Sequence, residues 1–147
     1  MAGNAQGRRL RTGRVSIPNQ IYAITTVTRD RYPYFAEFTS AHSIVHILRQ
    51  EELMGRAETL AYVVMPDHLH WLLRLRPGHD LSRVVRDVKA VSSRRFGCRV
   101  WQKGFHDHAL RREDDVKDWA RYIVANPLRA GLVECIGDYP HWDAIWL

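Results

Sequence analysis

Two apolar runs in the middle of the chain constrain its fold more than any other feature. Residues 59–65 and 68–75 each have the length and composition of a strand, and only Pro66 and Asp67 separate them. Two residues are too few for the crossover that parallel strands require, so the runs must pair as an antiparallel hairpin. Any fold of this chain therefore includes an antiparallel sheet that contains these two strands.

The segment before this hairpin predicts one strand and one helix. Residues 20–28 are rich in β-branched side chains, which is typical of a strand. Residues 31–39 predict a loop. Apolar residues then recur at helical spacing between residues 40 and 54, and Ser40 is expected to cap the first turn of this helix.

Three further elements are predicted after the hairpin. Residues 80–96 predict a helix capped by Asp80, and residues 104–110 predict a short fourth strand. A third helix is expected over residues 113–126, because three acidic residues favour its first turn and Pro127 disfavours helical geometry at the residue before it.

The order strand, helix, strand, strand, helix, strand predicts an α+β fold of the ferredoxin-like (βαββαβ) type. Such a fold has an antiparallel sheet with helices on one face, here with an additional C-terminal helix. The length of 147 residues suits one domain. We expect this domain to span residues 18–147, with the tail at 139–147 packed on its body, and residues 1–17 to form a flexible basic arm.

The sequence also argues against several classes of protein. Its apolar runs are far shorter than the roughly 18 residues of a membrane span, and no apolar segment follows the basic N-terminus as in a secretory signal. Cys98 and Cys135 form no C-x-x-C pair, and no glycine-rich nucleotide-binding motif is present. We therefore expect a reduced cytoplasmic protein, nucleoid-associated if it binds DNA, without membrane contact.

Positive charge is the main clue to a partner. The formal net charge is +6, and only three of the 22 basic residues are lysine. Clustered arginine favours a polyanion such as nucleic acid, although a solvated surface or a GC-rich coding sequence would also produce it. The candidate phosphate contacts lie in two clusters, Arg8, Arg9, Arg11 and Arg14 in the arm and Arg83, Arg86, Lys89, Arg94 and Arg95 in the second helix.

Two histidine pairs are candidates for chemistry. His68 and His70 are two positions apart in a predicted strand, so their side chains lie on the same face and could share a divalent metal. Two partly exposed strand histidines without a metal would show the same pattern. His106 and His108 have the same spacing in the fourth strand, and from the residues alone they could form the metal pair instead or contact a substrate.

Tyr122 and Asn126 form a second constellation. They are four residues apart in the predicted third helix and therefore share one face of it. Tyr122 falls at the border of the buried stripe, a position from which a phenol can reach a site on the sheet. A half-buried tyrosine without a chemical role, and an asparagine that only ends the helix before Pro127, would explain the same residues.

Together, these residues resemble a known family. The segment YVVMPDHLHWLL at 62–73 resembles the His-hydrophobe-His strand of HUH endonucleases. The segment WQKGFHDHALRREDDVKDWARYIVANPLRAGLV at 101–133 resembles the nucleophile region of REP-associated tyrosine transposases, and the resemblance continues into the ending YPHWDAIWL. These are single-tyrosine relatives of the IS200-like transposases, with a ferredoxin-like catalytic core.

The resemblance implies a role for each residue of the two constellations. His68, His70 and Asn126 would bind a catalytic Mg²⁺ or Mn²⁺, and Tyr122 would be the nucleophile. His106 and His108 would then lie near the site without being ligands. Two imidazoles and an amide are softer ligands than Mg²⁺ usually prefers, which favours Mn²⁺.

The resemblance also implies a reaction and a substrate. The expected activity is metal-dependent cleavage and strand transfer of single-stranded DNA next to REP-type hairpins, through a 5′-phosphotyrosine intermediate, by a monomer or a homodimer. One alternative is a catalytically silent module that binds hairpin nucleic acid. Another is a metal-dependent hydrolase that uses water and has no role for Tyr122.

Overall fold

A computed structural model describes residues 19–144. The predicted arm at 1–17, with Arg8, Arg9, Arg11 and Arg14, and the last three residues lie outside the described part. In chain order the elements are β1 (Ile21–Val27), a 3-10 turn (Arg29–Arg31), α1 (Phe38–Leu53), β2 (Ala57–Met65), β3 (His68–Leu75), α2 (Leu81–Phe96), β4 (His106–Leu110), α3 (Glu113–Val124), α4 (Asn126–Arg129), a second 3-10 turn (Ile136–Asp138) and β5 (Trp142–Ala144).

The sheet confirms the predicted ferredoxin-like arrangement. Its strands lie in the order β4-β1-β3-β2-β5, and every neighbouring pair is antiparallel. The hairpin turns at Pro66 and Asp67, so that Met65 faces His68 in the register of β2 and β3. Strand β3 therefore lies in the middle of the sheet, between β1 and β2.

Helices cover both faces of this sheet. On one face, α1 and α2 pack on side chains such as Leu69, Trp71 and Leu73 of β3. On the other face, α3 packs on Leu72 and on apolar residues of β1 and β2. The two predicted helices on one face are confirmed, and the additional C-terminal helix covers the face that they leave open. Because side chains alternate along a strand, His68, His70 and Leu72 share the α3 face.

The predicted cap of the first helix is wrong, and that of the second is correct. Helix α1 begins at Phe38, two residues before Ser40, and its N-cap Glu37 makes no side-chain capping bond. The Glu37 carbonyl already accepts the first helical bond, from the Ala41 N–H, which places Ser40 inside the first turn. In α2, Asp80 is the N-cap and its carboxylate accepts the Arg83 N–H, as predicted.

The C-terminal part of the chain differs from the prediction at two points. Helix α3 ends at Val124, but Pro127 does not stop the helical path, because a proline in the first turn of the short helix α4 needs no N–H. The tail packs on the body as expected, and it does so by adding a fifth strand, residues 142–144, beside β2. No helix within residues 19–144 is long and apolar enough to cross a membrane.

The two helix caps give a matched test of the fold. Replacing Asp80 with Ala removes the side-chain acceptor of the α2 N-terminus and should lower the free energy of unfolding by about 1 kcal/mol, or roughly 2–4 °C in Tm. Glu37→Ala, at a cap with no side-chain bond, should leave Tm nearly unchanged in the same thermal melt. Equal losses in both variants would contradict this account of the caps.

Candidate active site

Strand β3 presents two imidazoles side by side toward α3. His68 and His70 are both partly buried, and their ring centroids lie 4.8 Å apart. This agrees with the shared face expected from their spacing. The side chains between and beyond them, Leu69 and Trp71, are buried on the opposite face, which fixes the orientation of the strand.

Each imidazole is held through its Nδ1 atom. The His70 Nδ1 lies 2.8 Å from the Thr25 hydroxyl, since Thr25 faces His70 in the register of β1 and β3. The His68 Nδ1 lies 2.8 Å from an oxygen of Asp67, and the other oxygen of Asp67 is 3.3 Å from the Arg31 Nε. Within the described residues no hydrogen bond engages either Nε2 atom, so both can accept a ligand. Such an outer partner is typical of metal-binding histidines, because it sets the tautomer and the ring orientation.

His70 is held in its neutral form. Burial, with the nearby charges of His68 and Arg129, lowers the pKa of His70 from 6.5 to about 3. The unfolded chain therefore takes up a proton at His70 near pH 6.5, whereas the folded chain resists it until about pH 3. The contribution of His70 to folding stability is thus complete above pH 6.5 and is lost as the pH falls toward 3. A neutral imidazole is also the form that binds metals.

Helix α3 places Tyr122 beside these histidines. The rings of Tyr122 and His70 are 6.3 Å apart between centroids, at a steep angle of 73°. Trp119 packs against Tyr122 from the same helix at 5.6 Å. Tyr122 is 50% exposed, in keeping with its predicted position at the border of the buried stripe. Its phenol can therefore be reached from solvent while its ring stays fixed at the sheet.

The end of α3 is closed by two side chains from α4. Pro127 has no N–H for the carbonyl four residues back, that of Ile123, and the Asn126 Nδ2 lies 3.4 Å from both this carbonyl and that of Tyr122. The Arg129 Nη2 donates to the Tyr122 carbonyl at 2.9 Å. The guanidinium carbon of Arg129 also lies 4.1 Å from the centre of the Tyr122 ring.

Sequence reasoning missed Arg129. The available signal was its position seven residues after Tyr122, which is two helical turns. Because the helix was expected to end near Asn126, the seven-residue spacing did not predict a contact between Arg129 and Tyr122.

The second histidine pair lies on the same face, across β1. His106 faces Thr25 and His108 faces Ala23 in the register of β1 and β4, so β1 separates this pair from β3. That separation is about 10 Å between strand axes. His108 contacts Trp119, with ring centroids 5.5 Å apart. The structure thus brings His106 and His108 to the edge of the same surface as Tyr122.

The fit of a divalent metal depends on the imidazole pair. Within residues 19–144 no group of three or more His, Cys, Asp or Glu side chains is arranged to hold a metal ion. A complete site would need the amide of Asn126, one turn beyond Tyr122, together with substrate oxygens. Two adjacent imidazoles with fixed Nδ1 partners are nevertheless suitable donors for a cation such as Mn²⁺.

A basic groove lies at the same end of the sheet on the opposite face. It has a volume of about 460 Å³ between α2 and the loop before β4, and its charged lining residues are Arg86, Lys89, Arg99 and Lys103. One wall of the groove, Gln102, donates its N–H to the Val27 carbonyl, and Val27 faces His68 across β1 and β3. The groove is therefore joined to the site by one strand.

The predicted basic residues of α2 differ in what their side chains do. Arg83, Arg86, Arg94 and Arg95 are exposed. In contrast, the Lys89 ammonium donates to the carbonyls of Gln102 and Gly104, so it ties the loop to the helix. Sequence reasoning did not single out Arg99 and Lys103, because the loop that carries them folds back on α2 only through contacts distant in sequence.

Known proteins resemble this chain in sequence and in fold. The REP-associated tyrosine transposase of Escherichia coli is 32% identical over 101 residues, which cover 67% of this chain and 59% of that protein. The chain thus spans less than two thirds of the length of that relative. A Haemophilus influenzae relative is 29% identical over 143 residues, covering 82% of this chain and 77% of its own length.

A solved structure and a family model agree with these relatives. The structure of a REP-associated tyrosine transposase bound to a REP hairpin superposes with a TM-score of 0.78 at 27% identity, covering 88% of this chain and 79% of that one. The family model described as "Transposase IS200 like" matches residues 16–126, a span that includes His68, His70, Tyr122 and Asn126. The chain therefore belongs to the family of IS200-like transposases.

Proposed function

We propose that this protein is a metal-dependent endonuclease and strand transferase that cleaves single-stranded DNA next to REP-type hairpins. The observation that carries the proposal is the juxtaposition of Tyr122 with His70 and His68 on one face of the sheet. Family membership and the hairpin bound by the solved relative support the choice of substrate. Residues 18–147 would form the catalytic domain, and the basic arm at 1–17 would hold DNA.

Tyr122 is the nucleophile of the proposed reaction. Its phenolic oxygen forms a bond to phosphorus, and the bond between phosphorus and the 3′-oxygen breaks. The phenol loses its proton and the 3′-oxygen gains one, which leaves a 5′-phosphotyrosine and a free 3′-hydroxyl. The new phosphodiester keeps the energy of the old one, so attack by a 3′-hydroxyl can rejoin DNA without a nucleotide cofactor. This agrees with the lack of a nucleotide-binding motif in the sequence.

His68, His70 and Asn126 are the proposed ligands of the divalent metal. When bound, Mg²⁺ or Mn²⁺ would polarise the scissile phosphate and offset its developing negative charge. The chain contributes the fixed orientation of the two imidazoles, through Thr25 and Asp67, and the neutral state of His70. Helix α3 packs on the sheet of its own chain, so His68, His70 and Tyr122 come together within one protomer. The proposed active species is a monomer or a homodimer.

The basic groove is the proposed contact for the hairpin. It lies at the His68 end of the sheet, so DNA in the groove could pass the edge formed by β4, with His106 and His108, and reach Tyr122. Arg86 and Arg99 line the groove and are the strongest candidates for phosphate contacts. Arg83 and Arg94 are exposed on α2 outside this lining and are further candidates. The Lys89 ammonium would shape the loop instead of binding phosphate.

A catalytically silent module that binds DNA hairpins is the second candidate. The basic groove lies on the opposite face of the sheet from Tyr122, so DNA could bind there without reaching the phenol.

An adduct assay separates the two candidates. Wild-type protein with Mn²⁺ and end-labelled single-stranded hairpins from its own genome should give a protein–DNA adduct on a denaturing gel. Tyr122→Phe should abolish the adduct and leave hairpin binding intact. Tyr32→Phe, which alters another exposed tyrosine, should behave as wild type.

Two other outcomes of this assay would contradict the proposal. Binding without an adduct in any of the proteins favours the silent module. Equal cleavage by wild type and Tyr122→Phe, without an adduct, favours a hydrolase that uses water.

Substitution of two adjacent threonines, Thr25 and Thr26, tests whether the imidazole pair binds the metal. Thr25→Val keeps the shape of the side chain but removes the partner of the His70 Nδ1, and should weaken Mn²⁺ binding by roughly 10- to 100-fold in calorimetry. Thr26→Val is the matched control, because the Thr26 hydroxyl is buried without a hydrogen-bond partner among the described residues. That variant should keep its Mn²⁺ affinity and fold at least as stably. Equal Mn²⁺ affinity in all three proteins would contradict the assignment.

Phosphate contacts in the basic groove should make the affinity for the DNA hairpin depend on salt concentration. Replacing both Arg86 and Arg99 with Gln should weaken hairpin binding and reduce the slope of log K against log salt concentration by roughly 1 for each phosphate that the protein no longer binds. Arg49→Gln, on the exposed side of α1 outside the groove, should leave the slope unchanged. An unaltered slope in the double variant would indicate that the DNA hairpin binds outside the groove.

A further inference from the structure

Arg129 holds an unusual position against the proposed nucleophile. Its guanidinium carbon lies 4.1 Å from the centre of the Tyr122 ring, and its Nη2 donates to the Tyr122 carbonyl at 2.9 Å. Both contacts are to the same residue, so the guanidinium is fixed relative to the phenol.

Among the described residues, the charge of Arg129 has no acidic partner. No carboxylate within residues 19–144 lies at salt-bridge distance from it, whereas Arg121, on the same helical segment, pairs with Asp118 at 3.1 Å. Arg129 is exposed, and a guanidinium has five N–H donors, of which a single one is engaged by the Tyr122 carbonyl. The other donors can bind an anion. The family model ends at residue 126, so the match to it does not cover Arg129.

We propose that Arg129 is a catalytic residue that binds a non-bridging oxygen of the scissile phosphate beside Tyr122. This inference rests on the proposed function. A guanidinium matches the geometry of a phosphate and stays protonated throughout the reaction. As the phenolic oxygen adds to phosphorus and the 3′-oxygen departs, negative charge grows on the non-bridging oxygens. Arg129 stabilises that charge through hydrogen bonds and neither gains nor loses a proton.

The contacts of Arg129 with Tyr122 hold its guanidinium where it can stabilise charge on the scissile phosphate. Preorganised charge lowers a barrier most when it needs no rearrangement during the reaction. Since Arg129 is bound to the backbone of the nucleophile itself, a phosphate held by its free N–H groups is presented to the Tyr122 phenol.

A merely structural role would be to close the end of α3 at the Tyr122 carbonyl. The test that separates this role from catalysis changes the charge of the substrate as well as that of the protein. We would compare wild type, Arg129→Met and Arg129→Lys on a hairpin oligonucleotide that wild type cleaves. A second oligonucleotide would carry a neutral methylphosphonate at the cleavage position. Arg121→Met serves as the control for loss of an arginine near Tyr122.

On the phosphate substrate, Arg129→Met should lower the single-turnover cleavage rate by about 100-fold or more, as for loss of one preorganised donor. Hairpin Kd and Tm should stay near those of wild type. Arg129→Lys should recover part of the rate, because it keeps the charge but not the planar fork. On the methylphosphonate substrate, the rates of wild type and Arg129→Met should converge. Arg121→Met should match wild type on both.

Each other outcome identifies what fails. Equal rates for wild type and Arg129→Met on the phosphate substrate overturn the inference and leave the proposed function intact. An equal loss on both substrates assigns Arg129 a structural role and also overturns it. If Arg129→Met does not fold, a folded Arg129→Lys that loses the same factor on both substrates overturns it as well. If wild type forms no adduct with any hairpin, the proposed function fails, and this inference with it.

Discussion

The alternation of side chains along β3 is the constraint on which the rest of the structure depends. This strand lies between β1 and β2 in the sheet, and helices cover both of its faces, so its register cannot slip without exposing a core. Leu69 and Trp71 hold one face against α1 and α2, which forces His68 and His70 to the other. A shift by one residue would move both histidines into the apolar layer under α1 and α2 and Trp71 to the α3 face, which would disrupt both cores.

The neighbours of β3 then turn a pair of histidines into a prepared site. Strand β1 brings Thr25 to the Nδ1 atom of His70, and the tight turn brings Asp67 to that of His68. Helix α3 covers the same face and sets Tyr122 against His70. The basic groove belongs to the layer of α2 on the other face, and it is joined to the site because its loop bonds to β1 beside His68. A DNA hairpin bound in this groove would thus be positioned by the same strands that carry His68 and His70.

The sequence by itself determined the features that follow from local geometry. The two-residue connection dictated the β-hairpin, and the spacing of two placed His68 and His70 on one face. These relations hold because the strand period is set by the covalent backbone. The spacing of four predicted one helix for Tyr122 and Asn126, whereas α3 ends at Val124 and Asn126 begins α4. A local rule failed at Ser40, which was expected to cap the first helix but lies inside a helix that begins two residues earlier.

Only the tertiary structure decided how these local units meet. It placed His106 and His108 across β1 from the site, engaged the Lys89 ammonium with the groove loop, and brought Arg129 over the Tyr122 ring. These contacts join elements through strand pairing, through helix packing and through a helical path that continues past Pro127. The first two depend on surfaces distant in sequence, so no local period predicts them. The third depends on the helical path past Pro127, which the sequence analysis expected to end near Asn126.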